Sequence, residues 1–299
     1  MTRALVARFS NLLLVLGAVA VGVLVPGPSP YLDPLITPLV VFLVFTSLRG
    51  VRFAAIDYSS YAAVVALSLC LSYVVLPLGG IRLVEFAFAD AAGTGAVLGF
   101  AIALSVPTTA GSAIIWTRLA RGDVQLATVS SIASLLLAPA ATPLVLTRLV
   151  GSRIAVPTAS ILTDLAVIVG GGALLTAAVP TDALSTDAVE RGSTLAILLL
   201  IYTAVAGAGV VGIDAATLLA VVGVAGCLFG VGAALSACCQ RAFGIERDRA
   251  FALFFTTNLK NLGIALLVSL PFADPLVTVS IIVYYVVQQT GGAALADAT

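Results

Sequence analysis

The segment Thr256-Thr257-Asn258-Leu259-Lys260-Asn261-Leu262-Gly263 sets two hydroxyls, two amides and the single lysine of the chain inside an otherwise apolar stretch. A cation so far from either end of a membrane span cannot snorkel to an interface, and its burial costs several kcal/mol unless something compensates it. Two compensations are open: a bound anion, or a structural ion pair, for which Asp164 is the intramembrane acid at hand. A second polar interruption is Ser105-Val106-Pro107-Thr108-Thr109-Ala110-Gly111-Ser112. Pro107 removes an amide donor and clashes with the preceding turn, so a break in the helix is expected there. Thr108, Thr109 and Ser112 either satisfy the freed backbone locally or join it in holding a ligand. Ser131 and Ser134, three residues apart, share a helix face, where hydroxyls bond their own backbone, a neighbouring helix or a solute. Gln288 and Gln289 fall near the end of a span and read as interfacial.

The elements that must position these residues are membrane helices. Of 299 residues 61% are hydrophobic and 9% charged, whereas soluble domains carry about a quarter charged residues. Apolar runs long enough to cross a bilayer recur with barely enough polar sequence to turn the chain. The spacing predicts an all-α, polytopic membrane protein with about ten spans in one transmembrane domain covering residues 1–299. In the first half they lie near Phe9 to Val25, Pro34 to Leu48, Ser60 to Leu78, Gly93 to Trp116 and Val124 to Leu146. In the second they lie near Ile161 to Val179, Ser193 to Val211, Ala215 to Cys239, Ala250 to Leu270 and Pro275 to Gly292. The start, with Arg3 and Arg8 before an apolar stretch, has the form of a signal peptide, but no small-residue cleavage site follows and it reads as the first span.

Basic residues give an independent check, because cytoplasmic loops hold the excess. With a cytoplasmic N-terminus that side receives Arg3, Arg8, Arg49, Arg52, Arg118, Arg121, Arg191, Arg241, Arg247 and Arg249, and the other side only Arg82, Arg148 and Arg153. Both termini are therefore expected in the cytoplasm. An odd number of spans per half requires any structural repeat to be inverted, with one copy at about 1–150 and the other at about 151–299. The four cysteines lack metal-ligand spacing and read as packing residues, and histidine is absent, so neither a metal site nor a cofactor is indicated. Zero net charge without a basic cluster argues against nucleic acid. The partner surface is lipid. High Arg and Ala with one Lys fit a GC-rich prokaryotic genome and a cell-membrane location.

Three motifs carry a resemblance. Pro107 through Ser112 and on through Trp116-Thr117-Arg118-Leu119-Ala120-Arg121-Gly122-Asp123, then Ala138-Pro139-Ala140-Ala141-Thr142-Pro143, then Lys260-Asn261-Leu262-Gly263-Ile264-Ala265, are similar to the fourth, fifth and ninth helices of the bile acid:sodium symporter family. The resemblance implies two inverted five-helix repeats, a panel and a core subdomain, discontinuous fourth and ninth helices that cross, and a small organic anion as substrate, usually carried with sodium. It implies substrate or ion binding at Pro107, Thr108, Thr109, Ser112, Ser131, Thr256, Thr257, Asn258, Lys260 and Asn261.

The sequence departs from that family where sodium binds. Thr256 stands at the position of the acidic residue in sodium-coupled members, Lys260 at that of a glutamine, and Ala127 at one of two hydroxyl positions in helix five. Ser112, Ser131 and Thr256 would form a degenerate sodium site, and a fixed ammonium takes the place of an oxygen donor that a hard cation needs. Sodium coupling is then weakened or replaced by Lys260. A sodium-independent exporter or facilitator is the alternative. Arsenite exporters share the turn at Trp116 to Asp123 but use a helix-four cysteine, which is missing between Cys70 and Cys227. An intramembrane Ser-Lys enzyme would need a serine near Lys260, and in sequence the nearest downstream is Ser269.

Overall fold

The computed structural model describes residues 2–49, 58–89, 93–151, 154–209, 213–272 and 274–298, with backbone alone for 2–12 and Tyr58. Arg52 and Arg153, used above for sidedness, lie outside the described residues, as do the side chains of Arg3 and Arg8. The helices are α1 (Thr2–Leu24), α2 (Ser29–Leu32), α3 (Ile36–Leu48), α4 (Tyr58–Cys70), α5 (Leu76–Ala87), α6 (Thr94–Ser105) and α7 (Ala110–Leu119). They continue with α8 (Val124–Val150), α9 (Thr158–Ala178), α10 (Thr186–Ala208), α11 (Ala215–Phe243), α12 (Arg247–Asn258), α13 (Leu262–Ser269) and α14 (Pro275–Asp297). Among the described residues the only extended pairing is a single bridge between Thr108 and Lys260.

Among the described residues, seven helical stretches are long and apolar enough to cross a membrane: Ser29–Leu48, Ser59–Ala87, Val124–Val150, Thr158–Ala178, Thr186–Ala208, Ala215–Phe243 and Pro275–Asp297. Leu13–Leu24, Thr94–Ser105 and Leu262–Phe272 are shorter apolar helices. The expected third span ended near Leu78, but the helix runs on to Ala87 and carries Arg82, whose exposed guanidinium bonds Glu85 at 2.9 Å. Its middle is a π-turn, Leu71–Val75, and one-turn π-bulges of this kind frequently mark functional positions.

Helix starts follow from local chemistry. Asp123 caps α8 by accepting from the Leu126 amide at 2.9 Å, Asp214 caps α11 and Asp274 caps α14. At the loop residue Asp214, the Thr217 hydroxyl and amide hold the carboxyl below its ordinary value. Gly209 and Gly244 end α10 and α11 in the left-handed region (φ 62° and 61°), where a side chain would be strained.

Two packing groups result. Helices α1, α3, α9 and α10 pack on one another, while α4 to α8 and α11 to α14 form the larger group. The groups meet where α13 and α14 lie against α10, α13 against α3 and α8 against α9. Close approaches are bought with glycine: at Gly99 of α6 an added Cβ would stand 2.6 Å from the Val277 carbonyl and 2.8 Å from Ser280 Cβ of α14. The cysteines are not packing residues. Cys70, Cys227 and Cys238 are exposed on outer faces, Cys239 is half-buried, and all four are free.

Candidate functional site

Two helices break in the interior at the two polar interruptions. Between α6 and α7 the chain extends through Val106 to Thr109, and between α12 and α13 through Leu259 to Asn261. The two extended pieces run antiparallel. Thr109 donates its amide to the Leu259 carbonyl at 3.0 Å, and Asn261 donates to the Pro107 carbonyl at 2.9 Å. A break that would strand backbone groups in an apolar interior is thus satisfied by the other break.

The remaining groups are satisfied in matched pairs. The Thr108 amide donates to Ser134 Oγ of α8 at 3.0 Å, and the Lys260 amide to Gln288 Oε1 of α14 at 3.0 Å. The Thr108 hydroxyl donates to the Thr256 carbonyl, in the last turn of α12, at 2.6 Å. Lys260 Nζ reaches the Val106 carbonyl, at the end of α6, at 3.3 Å. Each break therefore caps the carbonyl end of the opposite half-helix, where a cation also meets the negative end of the helix dipole.

Lys260 is 3% exposed. Its ammonium donates to the Ser72 carbonyl and the Ser72 hydroxyl, both at 2.7 Å, so that with Val106 three oxygens meet three N–H donors. The Tyr73 ring lies 5.3 Å from Nζ, within cation–π range. The π-turn supplies this arrangement: it frees the Ser72 carbonyl from regular helical use and turns Ser72 and Tyr73 inward together. Tyr73 in turn donates its hydroxyl to the Ser134 carbonyl at 2.8 Å. Asp164 does not pair with Lys260. It lies exposed on α9, bonded to Ser160, and the ammonium is compensated by neutral oxygens instead.

Pro107, Thr108, Thr109, Lys260 and Asn261 are thus brought together, but not all the expected residues share their surroundings. Thr256 Oγ faces Ser68 Oγ of α4 at 2.8 Å. Ser112 accepts from Gln289 Nε2 at 3.0 Å, while Gln289 also accepts from Trp116. Ser131 Oγ and Thr257 Oγ1 are buried without a hydrogen-bond partner among the described residues. Asn258 donates to the Phe254 carbonyl at 2.9 Å and lies against Gly232 of α11. The hydroxyls of Ser112 and Thr256 therefore bond different partners, and that of Ser131 bonds neither among the described residues. Gln288 is fully buried and Gln289 is half-buried, bonded to Trp116 and Ser112, and α14 runs on past both to Asp297.

Thr108→Val tests the reciprocal capping. It keeps shape and removes the donor to Thr256, with an expected loss of about 1–2 kcal/mol. Thr108→Ser should retain most of that, read as thermal unfolding in detergent.

Comparison with curated proteins returns no match to this chain. A family model does match: residues 10–299 fit the SBF-like CPA transporter family. With the crossed, broken helices described above, that match over nearly the whole length places the chain in this family of membrane transporters, within the bile acid:sodium symporter group.

Proposed function

We propose that this protein is a secondary active transporter that moves a small organic anion by alternating access, with the ammonium of Lys260 in place of a sodium ion. The observation that carries this reading is the set of three oxygens, two carbonyl and one hydroxyl, around Lys260 Nζ. Such neutral oxygens are the ligands a hard cation takes, and here a tethered cation occupies them. Because its three donors are used internally, Lys260 holds the crossover together and acts on a solute through its field rather than by direct contact.

The anion is proposed to dock at the start of α7. Thr109 provides no side-chain cap there, an added Cβ at Gly111 would meet nothing within 4 Å, and Thr109 and Asn261 are the half-exposed members of the crossover. Unused amides at a helix start favour negative charge.

The matched hydrogen bonds support an inverted repeat, with Thr108 and Lys260 in equivalent places and Ser134 answering Gln288. The helix contacts pair in the same sense, α1 with α10 as α9 with α3, and α5 with α6 as α11 with α12. Counting each broken pair as one passage gives ten spans. The neighbouring turns that carry Arg121 and Arg247, joined by the Asp123 amide to the Asp248 carbonyl at 3.0 Å, gather arginines at one end and support a cytoplasmic placement of that end and of both termini.

A Ser-Lys enzyme is the second reading with an observation behind it, since Ser72 Oγ lies 2.7 Å from Lys260 Nζ. Against it, Ser72 is fully buried, and Lys260 Nζ also donates to two carbonyls, which divides its donors away from the Ser72 hydroxyl.

Flux decides. In proteoliposomes loaded with labelled carboxylates or sulfonates, uptake or exchange of at least one anion is expected, with little change when sodium is replaced by choline. Strong sodium dependence would overturn the substitution, and absence of flux for every anion would overturn the substrate class.

A further inference from the structure

Trp116, the single tryptophan of the chain, donates its indole N–H to Gln289 Oε1 at 3.0 Å, and Gln289 Nε2 donates to Ser112 Oγ at 3.0 Å. An indole nitrogen can only donate, so the Gln289 oxygen must face Trp116 and its NH2 must face Ser112. Ser112 is therefore held as an acceptor from α14, and its own hydrogen is left to donate elsewhere. Other serines of the fold give that hydrogen to their own helix: Ser47 to the Leu43 carbonyl, Ser193 to that of Val189 and Ser236 to that of Gly232. Ser112 donates to no group among the described residues. It stands half-exposed in the first turn of α7, with the amides of Ala110 and Gly111, which have no partner within the helix.

Helix packing does not require this row of bonds. Thr109 and Asn261 hold matching places in the paired breaks, so Ser112 of α7 answers Ile264 of α13, and Trp116 answers Val268. Ile264 and Val268 are apolar and buried. The α13 start is capped by Asn261, whose side chain accepts from the Ile264 amide at 3.1 Å, while the α7 start has no side-chain cap. One half-helix is thus closed by its own residue, and the other presents donors.

We propose that Ser112 is a specificity-determining donor of the anion site at the start of α7, and that Trp116 and Gln289 are the positioning residues that fix its sense. The proposal rests on the anion reading above and adds what the site selects: a carboxylate or sulfonate, whose oxygens only accept, over the matching amide. Each bond in the row polarises the next, so the Ser112 hydrogen is a stronger donor than that of a free hydroxyl. An amide brings N–H hydrogens to a place built of donors, where they find no acceptor. The Gln289 N–H aimed at Ser112 Oγ also sets a positive dipole end beside the oxygen that a cation would need. This hydroxyl therefore serves an anion and not sodium.

Trp116 is its own reporter. The purified full chain is titrated with butyrate and butanesulfonate, and with butyramide and butanesulfonamide, at constant ionic strength in chloride. Binding is read twice: as a rise in the thermal unfolding midpoint, which occupancy of any site gives, and as a change in Trp116 emission, which requires the row of bonds. Both oxyanions are expected to give both signals, and the amides to bind about tenfold more weakly or less. Ser112→Ala should weaken oxyanion binding about tenfold, the effect of one hydrogen bond to a charged group. Ser112→Thr, which keeps the hydroxyl, should bind as the unmutated protein does. In Gln289→Leu the thermal signal should persist with a narrowed preference for the oxyanions, and the emission signal should be lost. Three results would each overturn the proposal: oxyanion binding untouched by Ser112→Ala, amides bound as tightly as the oxyanions, or an emission signal that survives Gln289→Leu. Absence of both signals with both oxyanions would overturn it as well. Flux of labelled butyrate or butanesulfonate that Ser112→Ala leaves unchanged would sink the donor role alone. Both signals in a protein that carries no anion would sink the transport reading and leave the site standing.

Discussion

Lys260→Met is expected to abolish transport and to destabilise the fold, whereas Lys260→Gln is expected to keep the fold and to make transport depend on sodium. Methionine matches the length of the lysine stem but leaves the Ser72 carbonyl, the Ser72 hydroxyl and the Val106 carbonyl without their donor. A buried acceptor so stranded costs about 1–3 kcal/mol. Relief from burying an ammonium offsets part of this, and we expect a net loss of about 1–3 kcal/mol with transport reduced by more than ~100-fold. Glutamine returns up to two donors and adds a carbonyl oxygen among groups suited to a hard cation. Sodium should then stabilise Lys260→Gln in thermal unfolding and stimulate its uptake, while leaving the unmutated protein unchanged. Equal behaviour of Lys260→Gln with and without sodium would remove the case for electrostatic replacement.

The second large effect is expected at Gly99. Its Cβ would face the Val277 carbonyl at 2.6 Å, the Val277 Cα at 3.0 Å and Ser280 Cβ at 2.8 Å, so most of what it meets is backbone or the start of a side chain and cannot swing away. Gly99→Ala must push α6 from α14, the helix that brings Gln288 to the Lys260 amide. Overpacking of this kind costs about 1–3 kcal/mol. Because the displaced helix holds the crossover, transport should fall more than stability does. Gly226→Ala and Gly230→Ala, where nothing lies within 4 Å, are the controls and should be silent. Unchanged melting and flux in Gly99→Ala would show that the seam yields where we take it to be rigid.

Much of the layout was legible because bilayer thickness sets element length and because proline and a lone buried cation break apolar patterns. Pro107 and Lys260 marked both interruptions, and of the two hydroxyls expected on one face of α8, Ser134 bonds the Thr108 amide while Ser131 has no hydrogen-bond partner among the described residues. What could not be read were the partners. Ser72 and Tyr73 sit in an unbroken apolar run, and nothing local signals that Leu71–Val75 takes a π-turn. Thr108 was expected to satisfy the freed backbone locally or to join it in holding a ligand, and its hydroxyl donates instead to the Thr256 carbonyl, 148 residues on. Gln288 looked peripheral only because the last helix was drawn too short. The cysteines were read as packing residues because they fall in or at the end of apolar segments without metal-ligand spacing, and an apolar segment does not mark its inner face when the outer surface faces lipid.

The bridge between Thr108 and Lys260 also has a consequence for biogenesis. Until the ribosome has delivered the ninth passage, the Pro107 carbonyl and the Thr109 amide lack the partners they hold in the mature protein. The first half of the chain must therefore linger at the insertion machinery, or in a hydrated local form, and its maturation is timed by the arrival of residues made more than a hundred codons later.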